Sequence, residues 1–404
     1  MRRTSVRIAC NTACPYQPMW RSSPAFLFLG AGVLLPWNAF ISTTYDSMSA
    51  SHVDRAITLV YLPVTLSSTL LFTLACGEST LARPRIVAGF TVYVACTLVA
   101  PLLGNLWGLL TLVAATGVAD AASQGALFGL AGERDASSIN SFNPQGSSKM
   151  HTQSLVTGTS LSGIVTSVLN ILTRSLIRDD EKRAVCYFWT VSAFCGMCAV
   201  VYLAQIPVDD GRPLTRPPPL SSSSPIGSSL PPTARMEPLE LEHPSRSKEQ
   251  LIKVLKKAWV PLVALTLVYW VTIAIFPGVL QENVHDAADG GWVAPVATFV
   301  FNVCDGVGKI FPPALIASDT ALLAIAGSRV LFVPVCLASV YAHPALICFL
   351  VGALGLTNGL LTVWTLTKVQ LAVDENEEYL AGNVALVALM SGLTLGAASS
   401  WLLR

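Results

Sequence analysis

Charge is what this sequence has least of. Only 12% of its residues are Asp, Glu, Lys or Arg, and the net charge is +1. A chain so nearly neutral has neither the basic field that a nucleic-acid polymer requires nor an acidic tail. Histidine is scarce as well. His52, His151, His243, His285 and His343 fall in loops or at the ends of apolar runs, with no spacing that would hold a metal. There is no Gly-x-Ser-x-Gly nucleophile elbow. Gly306-Val307-Gly308-Lys309 approaches the end of a phosphate loop, but position 303 is Val and Ile310 follows the lysine. Neither an enzyme nor a cofactor is therefore expected. No apolar stretch precedes Pro24, so a cleaved signal peptide is not expected either. The ten cysteines are scattered, many inside apolar runs, unlike a secreted disulfide framework. Cys195-x-x-Cys198 has no second pair and reads as packing.

What the sequence does have is hydrophobic length. It is 52% hydrophobic, and the apolar residues gather into runs at 24–45, 56–77, 85–104, 106–131, 152–173 and 184–206. Five more follow at 258–280, 292–314, 319–341, 344–367 and 379–403. Each is near the ~20 residues a helix needs to cross a bilayer. Between the two sets the composition changes to Pro217-Pro218-Pro219, Ser221 to Ser224 and mixed charge, which cannot bury a core. The expected organisation is a cytoplasmic segment 1–24, a lobe of six helices over 25–206, a disordered cytoplasmic linker 207–257, and a lobe of five helices over 258–404. This is an all-α membrane protein with eleven transmembrane helices in a 6+5, two-lobed arrangement similar to the major facilitator fold. Such lobes rock about a midplane site. With the N-terminus inside, most of the Lys and Arg fall in inside loops: Arg83, Arg85, Arg134, Lys149, the linker set, Arg329 and Lys368. The loop 174–183 is an exception, with Asp179, Asp180 and Glu181 as local counter-charges. Eleven spans place the C-terminus outside.

Polar residues inside the apolar runs carry the functional reading. Asn302, Asp305 and Lys309 are spaced i, i+3 and i+7 and share one stripe of a helix. Ionisable groups at that depth usually face a water-filled cavity or the bundle interior. They read as a polar grip on a solute crossing the membrane; the alternative is a pair that only locks helices together. Trp37 and Asn38 follow Pro36, which kinks a helix and frees a carbonyl. Asn38 then offers a donor and an acceptor, and Trp37 a flat face; the alternative is an interfacial Trp and an Asn bonded to a neighbouring helix. Asp120 and Gln124 are four apart on one face. Gln124 suits the edge of a base. Asp120 is a candidate for proton coupling, or else an acid paired with a base elsewhere. Gly158, Gly163, Gly392 and Gly396 read as helix-packing positions. Gln124-Gly125 and Asn358-Gly359, each in the fourth helix of its lobe, hint at an internal repeat.

Several of these stretches together resemble one family. Leu-Pro-Trp-Asn-x-Phe-Ile at 35–41, Gln-Gly-x-Leu-Phe-Gly-Leu-Ala-Gly at 124–132 and Phe-Asn-x-x-Asp-x-x-Gly-Lys at 301–309 are similar to the equilibrative nucleoside transporters. So are Arg329 to Pro334, Asn358-Gly359 and Ala381-Gly382. The likeness runs from about 25 to 403. It implies a plasma-membrane carrier for nucleosides, with nucleobases as further cargo, working by alternating access. Carried over by position, Trp37 and Asn38 would line the cavity, Gln124 would bond the base, and Asp305 with the basic residue four later would hold ribose hydroxyls. The family usually has Arg where this chain has Lys309, and Lys cannot form the bidentate fork. The acid at 120 is a second departure. A proton-driven symporter is the rival within the same class, making protons a candidate partner beside the cargo and the lipid bilayer. A membrane receptor or structural protein without transport is the more distant rival.

Overall fold

The computed structural model describes residues 24–42, 53–75, 82–140, 150–206, 244–279, 292–311, 318–339, 343–374, 377–400 and 402. Among them, eleven helices are long and apolar enough to cross a membrane, and the chain is a multi-pass membrane protein. They are α1 (Pro24–Ser42), α2 (Val53–Ala75), α3 (Ala82–Val99), α4 (Leu106–Asn140), α5 (Met150–Leu176), α6 (Asp180–Gln205), α7 (Pro244–Ile273), α8 (Val293–Ile310), α9 (Asp319–Ala338), α10 (Pro344–Leu371) and α11 (Glu378–Ser400). In lipid every backbone group must be satisfied within its own segment, which leaves the helix as the only open-chain solution. Side-chain hydroxyls follow the same rule: Thr65, Thr69 and Thr73 each donate to the carbonyl four residues back.

Pro36 lies inside α1. It removes the helical donor to the carbonyl of Gly32. The thiol of Cys195 on α6 points at that carbonyl at 4.0 Å, and Cys198 donates to Phe28 O at 3.6 Å. Both thiols are buried and free, so the C-x-x-C pair packs against the proline-opened face of α1.

Close helix approaches fix the site's framework. A Cβ on Gly30 would run into the carbonyl of Leu155, and one on Gly158 into the carbonyl of Leu27, so α1 and α5 meet backbone to backbone. The same holds between α8 and α10, where Gly355 and Gly359 face Phe301 O and Asp305 O. Gly392 and Gly396 of α11 abut Thr266 O and Trp270 O of α7, while Gly163 abuts the Asn302 side chain. The N-terminal six helices meet the C-terminal five along α5–α8 and where α11 packs on α2 and α4.

Two features depart from the sequence reading. First, α7 begins at Pro244, well before its apolar run, so residues 244–257 are helical rather than linker. This polar extension is anchored where Lys253 and Lys257 reach Asp374 at 3.1 and 2.8 Å and Glu377 at 2.7 and 3.0 Å. Hydrogen bonds from Lys257 and Lys253 hold the Asp374 carboxyl below its ordinary range, and Lys253 does the same for Glu377. The cluster therefore stays ionised at neutral pH and weakens only as pH falls through those lowered values. The disorder expected for 207–243 lies outside the described residues. Second, Arg329, counted as a loop charge, sits in the middle of α9 and is 2% exposed.

Candidate solute-binding cavity

A cavity opens between the two sets of helices. Trp37 and Asn38 reach it from α1, Tyr61 from α2, Gln124 from α4, Ser160 from α5, Thr272 from α7, Asn302, Asp305 and Lys309 from α8, and Asn358 from α10. All the residues the sequence singles out as cargo ligands are thus lining residues. Asp120 is not among them.

Asp305 is the centre of the polar wall. Its Oδ1 accepts from Asn358 Nδ2 at 2.7 Å. Its Oδ2 accepts from Ser160 Oγ at 2.8 Å and pairs with Lys309 Nζ at 2.9 Å. The stripe spacing sets the Asp305–Lys309 pair, since i and i+4 neighbours meet on one helix face. Arg329 stands behind this wall. Its guanidinium donates to Thr272 Oγ1 at 3.0 Å and to Leu354 O at 3.1 Å, with a longer contact of 3.5 Å to Asn358 Oδ1. The network therefore sets two cations against one carboxylate, and Asn358 links Arg329 to Asp305.

Asn302 faces the seam. Its amide donates to Gly163 O at 3.0 Å and to Ser167 Oγ at 2.9 Å on α5. Asn38 donates to Ser162 Oγ at 2.6 Å. The Trp37 indole is stacked on Tyr61 at 4.1 Å and 18°, so one of its faces is already covered. Phe276 and Phe301 form a second stacked pair at 4.8 Å in the cavity wall.

Gln124 differs from these paired amides. It is 3% exposed, and its Oε1 has no hydrogen-bond partner among the described residues. A buried amide oxygen left unpaired beside a cavity is unfavourable unless something in the cavity completes it. Gln124→Ala is accordingly expected to raise the apparent KM for a cargo that bonds it by about tenfold, for a hydrogen bond of 1–3 kcal/mol. Initial-rate uptake normalised to surface expression checks this; an unchanged KM would return Gln124 to packing.

Asp120 lies one turn from Gln124 but turns into the bundle, toward α2 and α3. It is fully buried. Tyr93 Oη donates to its Oδ1 at 3.0 Å and also bonds Ser123 Oγ at 2.9 Å. The Tyr61 hydroxyl lies beside the same carboxyl, yet neither it nor Asp120 Oδ2 completes a hydrogen bond of normal geometry. No basic side chain pairs with Asp120 among the described residues, and Lys309 pairs with Asp305 instead. Tyr61, which lies beside this carboxyl, also lines the cavity and stacks on Trp37.

Ser160, Tyr61, Thr272 and Arg329 are among the polar residues that sequence reasoning passed over. A buried Arg in the middle of an apolar run was the one available signal.

Known proteins share both sequence and fold with this chain. Residues 224–404, which carry Asp305, Lys309, Arg329 and Asn358, match the family model described as "Nucleoside transporter". The chain is 28% identical over 411 residues to Equilibrative nucleotide transporter 1 of Arabidopsis thaliana, covering 93% of this chain and 84% of that protein. It is 26% identical over 440 residues to human Equilibrative nucleoside transporter 4, covering 93% and 81%. Its fold is similar to the crystal structure of a mutant of the nucleoside transporter NupG, with a TM-score of 0.56 and 12% identity over 93% of this chain and 89% of that one. It is also similar to a POT family transporter in complex with a thioalcohol-conjugated peptide, with a TM-score of 0.60 and 11% identity over 95% and 90%.

Proposed function

We propose that this chain is a carrier of the equilibrative nucleoside transporter family, moving nucleosides, and nucleobases as further cargo, across the plasma membrane. The observation that carries this reading is the Asp305–Lys309–Asn358 constellation on the wall of a cavity within an eleven-helix bundle. Lys309 and Asn358 supply donors and Asp305 supplies acceptors, a set suited to hydroxyls. The helices that present it lie in the segment matching the nucleoside-transporter model. In this reading 25–206 and 258–404 are two lobes of a major-facilitator-like carrier that rock about the midplane site. The N-terminus is cytoplasmic and the C-terminus extracellular. Gln124 bonds the base, Trp37 and Asn38 bound the cavity, and Asp305 with Lys309 holds the sugar.

The relatives' names include both nucleosides and nucleotides. The cavity favours the uncharged cargo. Lys309 is the one cation among its lining residues, and it is already paired. A phosphate would find no free cation among the described lining residues, since Arg329, the network's second cation, stands behind the wall, and that is unfavourable in a dry site. Uptake of a radiolabelled nucleoside should therefore be inhibited by purine and pyrimidine nucleosides and bases, and not by nucleoside monophosphates. Competition by the monophosphates alone would overturn the assignment.

Proton coupling is a second reading, favoured by the unpaired carboxyl of Asp120. The groups facing it are the hydroxyls of Tyr61 on α2 and Tyr93 on α3, and Tyr93 in turn bonds Ser123 of α4. A proton taken up there would alter Tyr61, and with it the ring stacked on Trp37. Uptake should then rise as external pH falls from about 7.5 to 6, the range near neutrality in which such a site must titrate to work. Asp120→Asn should keep nucleoside exchange and abolish the pH response. Wild-type uptake that is flat with pH and insensitive to a protonophore leaves a purely equilibrative carrier.

A further inference from the structure

Ser160 donates differently from the α5 hydroxyls around it. Thr157, Thr159, Ser162 and Thr166 donate to carbonyls three or four residues back in their own helix, as hydroxyls in apolar helices commonly do. Ser160 instead donates across the seam to Asp305 Oδ2 on α8, at 2.8 Å, and is 3% exposed. It is a lining residue of the cavity and touches its central acceptor.

An ionised carboxylate offers about four lone-pair positions. At Asp305 three donors are already in place: Asn358 on Oδ1, and Ser160 and Lys309 on Oδ2. One position is left, on Oδ1. A single cargo hydroxyl can use it, but a vicinal diol donating both hydroxyls to Asp305 needs two acceptors and must displace a donor. Lys309 is held by charge, and Asn358 is backed by Arg329. Ser160 is neutral, and it comes from the opposite set of helices. It is the donor that gives way most easily.

We propose that Ser160 is an internal competitor for the cargo's sugar hydroxyls and so a specificity-determining residue, setting the preference between diol-bearing and diol-free cargo. The inference rests on assigning this cavity to nucleosides and bases. A ribonucleoside must break the Ser160–Asp305 bond to donate both of its hydroxyls to Asp305. A free base, or a sugar without the diol, leaves that bond intact.

The test compares adenosine, 2′,3′-dideoxyadenosine and adenine as cargo for wild type, Ser160→Ala and Ser160→Thr, at matched surface expression. Removing the competing donor should lower the apparent KM for adenosine about fivefold, while the other two cargos change by less than about twofold. Ser160→Thr keeps the hydroxyl and should match wild type. If Ser160→Ala fails to reach the surface, Ser160→Cys, with a weak donor of similar size, carries the same expectation. A KM that shifts alike for all three cargos makes Ser160 structural. A rise for adenosine alone makes it a direct ligand rather than a competitor. Either result overturns the proposal. Wild type that carries none of the three would instead sink the assignment of the cavity itself.

Discussion

Asp305→Asn is expected to reduce nucleoside uptake by about a hundredfold, because hydrogen bonds from the sugar hydroxyls to a charged acceptor are worth about 1.5–3 kcal/mol each. The substitution keeps the shape of the side chain. It removes the counter-charge of Lys309 and the acceptor that Asn358, and Arg329 behind it, are arranged around. An amide also cannot accept at both positions, so the cargo's hydroxyls lose their partner. Uptake of a free base should fall much less. Lys309→Ala should be milder, about tenfold for a lost charged hydrogen bond, since Ser160 and Asn358 still serve Asp305. Lys309→Arg should be tolerated and tighten nucleoside binding by restoring the planar fork. The measurement is initial-rate uptake of a nucleoside and its base, normalised to surface protein. Equal losses for both cargos in every variant would mean that the pair only holds helices together.

Gly359→Ala is expected to be as damaging, by a different route. A Cβ at that position would collide with the backbone carbonyl of Asp305 and sit 3.0 Å from the backbone nitrogen of Lys309. Backbone atoms cannot rotate away as a flexible side chain would, so α8 and α10 must separate. Overpacking of this kind typically costs about 1–3 kcal/mol. Here it also displaces the carboxylate that the site is built on. Gly327→Ala is the matched control, since nothing lies within 4 Å of its Cβ position. Purified Gly359→Ala should melt at least several degrees below wild type and bind cargo poorly, while Gly327→Ala should do neither. An unchanged melting temperature for Gly359→Ala would show that the α8–α10 seam tolerates expansion.

The parts of this molecule that the sequence made legible are those written within single helices. Apolar run length located every span, because a bilayer imposes the same length on each. The spacing of Asn302, Asp305 and Lys309 put three polar groups on one stripe, and all three line the cavity. Gln124 stood out as an amide in a dry run. What was not legible depends on pairing between helices. Ser160 looks like any other hydroxyl of α5 until Asp305 is placed opposite it. Arg329 was read with the loop charges, because nothing in its own helix announces Thr272 and Leu354 as its partners. Asp120 shares a helix face with Gln124 in spacing, yet Tyr61 and Tyr93 enclose it away from the cavity. Trp37 offered a flat surface in sequence, and Tyr61 covers one side of it. The start of α7 was missed because its first turns are polar, held by Asp374 and Glu377 from a distant loop.

The most direct test of the central claim is counterflow in proteoliposomes containing only this protein. Vesicles loaded with unlabelled adenosine and diluted into trace radiolabelled adenosine should show a transient internal overshoot of label. The reason is that a carrier alternating about one site must exchange cargo whatever drives net flux. Asp305→Asn vesicles should show none, and adenosine monophosphate should not substitute inside or outside. Wild-type vesicles that never exceed equilibrium labelling, with the protein folded and inserted, would contradict the account.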